Sequence, residues 1–133
     1  TFYRTQALGR PGQPDFLNGV ARIETALSPR ALKFDVLRKI EADLGRVRTE
    51  DRYAPRPIDL DLILYGDWVV EEPDLRLPDP AIRTRPFVAV PLLELSPALV
   101  LPGSRDRLAD LPVAHESCGL MIASVLTAAL RKR

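Results

Sequence analysis

The sequence is poor in the residues that most often build metal and redox sites. Among 133 residues there is one cysteine, Cys118, and one histidine, His115. A lone cysteine excludes an internal disulfide and a cysteine-held zinc, and it fits a reducing compartment. Lysine is scarce too: of 19 cationic residues, all are arginine except Lys33, Lys39 and Lys132. No apolar run approaches the ~20 residues that a membrane-spanning helix needs. No signal-peptide pattern is read at the start, so the cytoplasm is the expected location. No glycine-rich loop of the P-loop kind occurs, so any nucleotide must be held by side chains. The formal net charge is only +1, which gives no bulk attraction to nucleic acid or to a membrane.

What is present reads as one soluble domain spanning 1–133. Hydrophobic residues make up 46% and charged residues 28%, the balance of a globular chain with a core of its own. The chain opens on "TFYRTQALG", without an initiator Met and already strand-like, as a fragment, a processed form or a chain with a missing start would. Residues 1–5 are β-prone, and "QALGRPGQPD" has the glycines and prolines of a loop. "FLNGVARIETAL" alternates as a strand, with Leu17, Ala21 and Ile23 on one face. "SPRALKFDVLRKIEADLG" reads as a helix: Ser28 caps it, Pro29 opens it, and Gly45 ends it. Leu32, Val36, Ile40 and Leu44 form its apolar stripe. Further on, 58–65 reads as a strand and "WVVEE" follows a Gly66-Asp67 turn. "FVAVPLLELSP" reads as a short helical region interrupted near Pro91, and 120–130 as a helical tail. The predicted class is α+β, antiparallel strands with helices over one face and the other face open.

The open face carries the most informative residues. In "RPIDLDLILYG", Asp59 and Asp61 interrupt a run of Ile, Leu and Tyr. On a strand they project from the same side, while Ile58, Leu60, Leu62 and Leu64 face the helices. Two carboxylates so placed repel unless a cation lies between them. Mg²⁺ suits them, because it takes one or two carboxylates together with phosphate oxygens. The plain alternative is a solvated strand face paired to arginine. Upstream, "RVRTEDRYAPRP" places Arg46, Arg48, Arg52 and Arg56 near the two aspartates along the chain. Guanidinium forks beside a metal site are what phosphoryl transfer asks for, whereas a basic loop neutralised by Glu50 and Asp51 is the bland alternative.

Taken in order, "FYRT", "GQPDFLNGV", "GRVR", "RYAPRPIDLDLILYG" and "RTRPFVAVPLLELSP" resemble successive motifs of the 6-hydroxymethyl-7,8-dihydropterin pyrophosphokinase family of folate biosynthesis. The likeness runs from Thr1 to about Pro102. It implies a ferredoxin-like sheet and transfer of pyrophosphate from ATP, the co-substrate, to the pterin hydroxymethyl oxygen, with AMP released. By resemblance Asp59 and Asp61 hold two Mg²⁺ ions, and Asp61 assists the attacking hydroxyl. Arg46 and Arg56 act in catalysis and, with Glu41, Arg48 and Arg85, bind ATP. Thr5, Leu8, Phe16, Asn18, Tyr53 and Phe87 form the pterin side, Phe16 and Phe87 as the aromatic faces and Asn18 as the amide that reads the pterin edge. Flat heteroaromatic rings bind well between aromatic faces, and an amide offers both donor and acceptor.

Two departures from the family stand out. Its opening strand, Gly-Ser-Asn loop and helix are absent before Thr1. A monomer is expected if the start is complete, and a dimer by strand exchange if the chain is truly short. Asp79 stands where the family usually has a histidine near the ATP phosphates. These departures favour a second reading, a weak or inactive relative that binds pterin or nucleotide and acts through oligomerisation. A third, an RNA-binding α+β domain, is opposed by Asp59 and Asp61 in the middle of the open face. His115 and Cys118 lie in the tail and read as structural or incidental. Because water must be excluded from ATP, amide exchange across 45–56 is expected to slow when an ATP analogue binds; unchanged exchange counts against closure.

Overall fold

The computed structural model describes residues 1–6, 12–51, 54, 56–124, 127 and 128. Its elements form a mixed α/β arrangement with two antiparallel sheets. The first sheet has the order β2-β1-β5, with β1 (Tyr3–Thr5) between β2 (Phe16–Asn18) and β5 (Met121–Ile122). In register, Tyr3 faces Asn18 and Thr5 faces Phe16, so these four side chains share one side. The second sheet is the hairpin β3 (Val70–Glu72) and β4 (Leu75–Leu77).

The predicted helix is there. Ser28 Oγ accepts the Ala31 N–H at 3.2 Å, Pro29 stands at the first position, and Gly45 ends the helix with φ +94°. The rod runs through α1 (Pro29–Ala31), a π-helical stretch (Leu32–Leu37) and α2 (Arg38–Asp43). Arg30 forks onto Glu72 at 2.6 Å and Asp74 at 2.8 Å, tying the start of the rod to the hairpin. That guanidinium holds the Asp74 carboxyl below the ordinary carboxylate range. Only the first part of the apolar stripe is covered: Leu32 is buried, whereas Ile40 and Leu44 are exposed.

The core gathers around α3 (Ala81–Thr84), α4 (Pro86–Leu95) and two 3₁₀ turns, Leu108–Asp110 and Pro112–His115. Ile82, Ala89, Leu92, Leu101, Leu108, Val113 and Ala114 are its buried members, and Ile63 and Leu64 pack against them. Tyr3 joins the first sheet to α4 by donating its hydroxyl to Glu94. Burial, then that hydrogen bond, pushes the Tyr3 pKa up to about 12.

Four expectations are corrected. Residues 58–65 form no ladder among the described residues, because no described strand lies alongside them. They are held instead by Leu60 N–H to the Glu41 carboxylate at 2.7 Å and by Asp79 N–H to the Ile63 carbonyl at 2.9 Å. Beyond Asn18 the predicted strand also stops, since β1 offers partners only from Tyr3 to Thr5. Helix α4 runs through Pro91 without interruption; the ring is buried in the core, and its missing N–H costs the helix one bond. Of the predicted helical tail, Met121 and Ile122 pair with β1 instead, whereas Ser124, Thr127 and Ala128 are helical, with the Thr127 N–H donating to the Ala123 carbonyl at 2.9 Å; the rest of 120–130 lies partly outside the described residues.

This packing ranks two leucines. Leu108 is fully buried and Leu44 is 55% exposed. Leu108→Ala is expected to cost about 3 kcal/mol in chemical denaturation, from lost burial and a residual cavity, and Leu44→Ala less than about 1 kcal/mol. Equal losses would contradict this placement of the core.

Candidate active site

The site is organised by a carboxylate that the fold buries. Glu41, on α2, is 2% exposed. After Gly45 the chain doubles back, and the Arg46 N–H returns to the Glu41 carbonyl at 2.9 Å. This return carries two arginines under the helix. Glu41 Oε1 accepts from Arg46 Nη1 at 2.9 Å and from the Leu60 N–H at 2.7 Å, while Oε2 accepts from Arg48 Nη2 at 2.6 Å. A buried charge is tolerated only when it is paired and hydrogen-bonded, and here both oxygens are engaged.

Arg46 continues the network outward. Its Nη1 also donates to the Ile58 carbonyl at 3.2 Å and to Asp59 Oδ1 at 2.6 Å. Arg56 Nη1 donates to Asp59 Oδ2 at 3.0 Å. The Asp59 side chain is 44% exposed, against 12% for Arg46 and 31% for Arg56. Although 58–65 is no strand, its first half alternates: Asp59 and Asp61 are exposed while Ile58, Leu60 and Leu62 are half-buried, and from Leu62 to Tyr65 every residue is half-buried.

Asp61 lacks such a cation. Among the described residues its carboxylate accepts no hydrogen bond and enters no ion pair. Desolvation pushes its pKa above the ordinary carboxylate range. Asp59, Asp79 and Glu41 add repulsion in that order, and Arg46 opposes them. Four carboxylates therefore act on one another here, answered by three arginines.

Asp79 also lines an open cleft of ≈ 530 Å³ between the helical rod, the β3–β4 hairpin and α3. Lys33, Arg76 and Arg85 line the same cleft. A smaller recess of ≈ 100 Å³ is walled by Arg46, Arg48 and Arg56 with Thr49 and Asp51. Arg85 reaches over the Phe87 ring, 5.7 Å from its centre, which brings together two residues expected on different sides of the site.

Thr5, Phe16 and Asn18 form a separate group on the first sheet. Asn18 Nδ2 donates to Thr5 Oγ1 at 2.9 Å, and Phe16 is the register partner of Thr5. No hydrogen bond or ion pair among the described residues joins this group to the carboxylate cluster. Leu8 and Tyr53 lie outside the described residues. Sequence reasoning missed Lys33 and Arg76 as cleft residues. Lys33 sits on a helix and Arg76 on a hairpin strand, and no motif marks either.

The donor set suits magnesium. Asp59 and Asp61 offer hard oxygens, and among the described residues no hydrogen bond or ion pair engages the Asp61 carboxylate. No group of three or more His, Cys, Asp or Glu among the described residues is arranged to hold a metal ion. Two carboxylates would leave the remaining positions to water and phosphate, which is how Mg²⁺ is usually held.

Comparison with known proteins gives one family. The family model described as 7,8-dihydro-6-hydroxymethylpterin-pyrophosphokinase (HPPK) matches residues 1–97. The 2-amino-4-hydroxy-6-hydroxymethyldihydropteridine pyrophosphokinase of Haemophilus influenzae is 45% identical over 105 residues, covering 79% of this chain and 64% of the relative. The protein of the same name from Synechocystis sp. is 43% identical over 111 residues, covering 84% and 55%. That from Pseudomonas aeruginosa is 43% identical over 103 residues, covering 77% and 62%. The chain thus spans between 55% and 64% of the length of these three relatives.

The crowding at Asp61 has a measurable consequence. An acid whose pKa is raised by folding stabilises the fold when protonated, and that stability is lost as pH rises through the raised value. Asp61→Asn is therefore expected to raise the urea midpoint at pH 7, with the gain fading as pH falls through the raised value of the wild-type carboxyl and gone by about pH 3, below the ordinary carboxylate value. A gain of equal size at both pH values would show that charge is not its cause.

Proposed function

Because the chain belongs to the 7,8-dihydro-6-hydroxymethylpterin-pyrophosphokinase family, we propose that it takes part in folate biosynthesis as an ATP-dependent diphosphotransferase. The pterin hydroxymethyl oxygen attacks the β-phosphorus of ATP. The bond between the α-phosphate oxygen and the β-phosphorus breaks, AMP leaves, and the hydroxyl proton is lost. The observation that carries this reading is the outward pair Asp59 and Asp61, with Arg46 and Arg56 on Asp59 and a polar cleft beside them.

Two Mg²⁺ ions held by Asp59 and Asp61 would supply neutralising charge to the phosphate oxygens. Arg46, Arg48 and Arg56 clamp the phosphates, and Glu41 acts by holding Arg46 and Arg48 in place. Asp61 assists the hydroxyl as it loses its proton. Arg85 serves the nucleotide from the cleft. Thr5, Phe16 and Asn18, with Phe87, Leu8 and Tyr53, receive the pterin; the Asn18–Thr5 hydrogen bond supports a fixed amide orientation on that side.

We assign residues 1–133 to one domain on a ferredoxin-like sheet with helices over one face, in keeping with the antiparallel order β2-β1-β5. A monomer is the proposed state, with a dimer as the alternative. No helix among the described residues is long and apolar enough to cross a membrane, and the proposed compartment is the cytoplasm. A second reading, a relative that binds without turnover, is favoured by one observation: Asp79 places an anion in the cleft beside Asp61.

The test is AMP release from ATP and 6-hydroxymethyl-7,8-dihydropterin with Mg²⁺, alongside calorimetry of magnesium–ATP binding. Wild-type protein is expected to release AMP. Changing Asp59 or Asp61 to Ala is expected to lower the rate by roughly 100-fold or more, and changing both to abolish tight magnesium–ATP binding. Normal binding by the double variant overturns the site; binding by wild type without AMP release establishes the second reading.

A further inference from the structure

Residues 121–127 lie beyond the stretch 1–97 that the family model matches, yet they hold the strand on which the pterin-side group stands. On the side of β1 away from β2, Tyr3 pairs with Ile122 and Arg4 with Met121. The Ala123 N–H donates to the Phe2 carbonyl at 2.9 Å, and the Phe2 N–H donates to Thr127 Oγ1 at 3.0 Å. The Thr127 N–H returns to the Ala123 carbonyl at 2.9 Å, so one turn of chain grips Phe2 by its amide and its carbonyl together. Thr127 is 8% exposed, which shields its hydroxyl from competing water.

From Phe2 the contacts lead to Asn18. The Phe2 ring lies against Gly19, where a Cβ would come within 2.5 Å of it. Tyr3 faces Asn18 in register, and Asn18 Nδ2 donates to Thr5 Oγ1 at 2.9 Å and to the Tyr3 carbonyl at 3.4 Å. The amide proposed to read the pterin edge is thus aligned by β1, and β1 is held by the tail. Two short strands alone are marginal; a third strand is what makes such a pair firm.

Resting on the pterin side proposed above, we infer that Thr127 is a positioning residue for that substrate: its hydroxyl fixes Phe2 and, through Phe2 and β1, the Asn18 amide. It acts without touching either substrate. Its effect falls on the pterin and spares the nucleotide, because no hydrogen bond or ion pair among the described residues joins Thr5, Phe16 and Asn18 to the carboxylate cluster.

The test compares Thr127→Val, which keeps the side chain's shape and removes the acceptor, with Thr127→Ser, which keeps the acceptor. Binding of 6-hydroxymethyl-7,8-dihydropterin is titrated by fluorescence with magnesium and a non-cleavable ATP analogue present, and magnesium–ATP binding by calorimetry. Thr127→Val is expected to bind the pterin about fivefold more weakly, and Thr127→Ser within about twofold of wild type. Both variants are expected to bind magnesium–ATP within about twofold of wild type. Equal weakening toward both ligands, or a loss in Thr127→Ser as large as in Thr127→Val, overturns the inference. If Thr127→Val does not fold, hydrogen exchange in the wild type decides. Adding the pterin to protein that already holds magnesium and the analogue should slow the Phe2 amide, since a brace that favours binding is itself favoured by it. Unslowed exchange under bound pterin overturns the inference. Pterin binding untouched in Thr127→Val sinks this inference alone, whereas wild type that binds magnesium–ATP but no pterin sinks the proposed pterin side and this inference with it.

Discussion

Everything at the proposed site is arranged around one desolvated charge. Glu41 is shut away from water on α2 and survives there because three donors converge on it: two guanidinium groups and the Leu60 amide. That convergence ties three stretches of chain together. The helix supplies the acid, the turn after Gly45 supplies Arg46 and Arg48, and the extended segment supplies the amide. Remove the acid and two arginines lose their anchor while a half-buried amide loses its acceptor. The acid thus does structural work at the place where the chemistry is proposed.

Outside that anchor the site is electrostatically unsettled. Asp61 feels three other carboxylates, and Arg46, which opposes them, is shared with Glu41 and Asp59. Such crowding lowers stability in the free protein, a common price where function needs charge in one place. The fold offsets it at a distance. Ile63 and Leu64 pack on the core formed by α3, α4 and the 3₁₀ turns, so the acidic stretch is held from its apolar side.

What could be read from the chain divides along a physical line. Features with local causes were legible. Ser28, Pro29 and Gly45 announce the helix because a cap, a fixed φ and a left-handed stop act within a few residues. The alternation from Ile58 to Leu62 announces two outward aspartates because it needs only an extended backbone. Features with distant causes were not. Whether 58–65 is laddered depends on a neighbour that no residue within it reveals, and Met121 and Ile122 are strand because β1 has an open edge. Pro91 ordinarily signals a break, yet its burial between core residues outweighs one missing hydrogen bond. Glu41 carries no hint of burial in its own neighbourhood, since a glutamate late in a helix is usually solvated. The motif resemblance pointed to it without saying that its partners would be arginines.

Asp79 has two occupations, and they bind its history to that of its neighbours. Its amide donates to the Ile63 carbonyl, and its Oδ1 accepts the Ala81 N–H, the first amide of α3. The same carboxylate that adds negative charge to the cleft therefore starts a helix whose Ile82 is fully buried. A lineage that exchanged this anion for an imidazole would change the cleft's electrostatics and unfasten that first turn in one step. Substitution at 79 is thus constrained by folding as well as by ligand, and drift there is expected to travel with compensating change at 80 or 81.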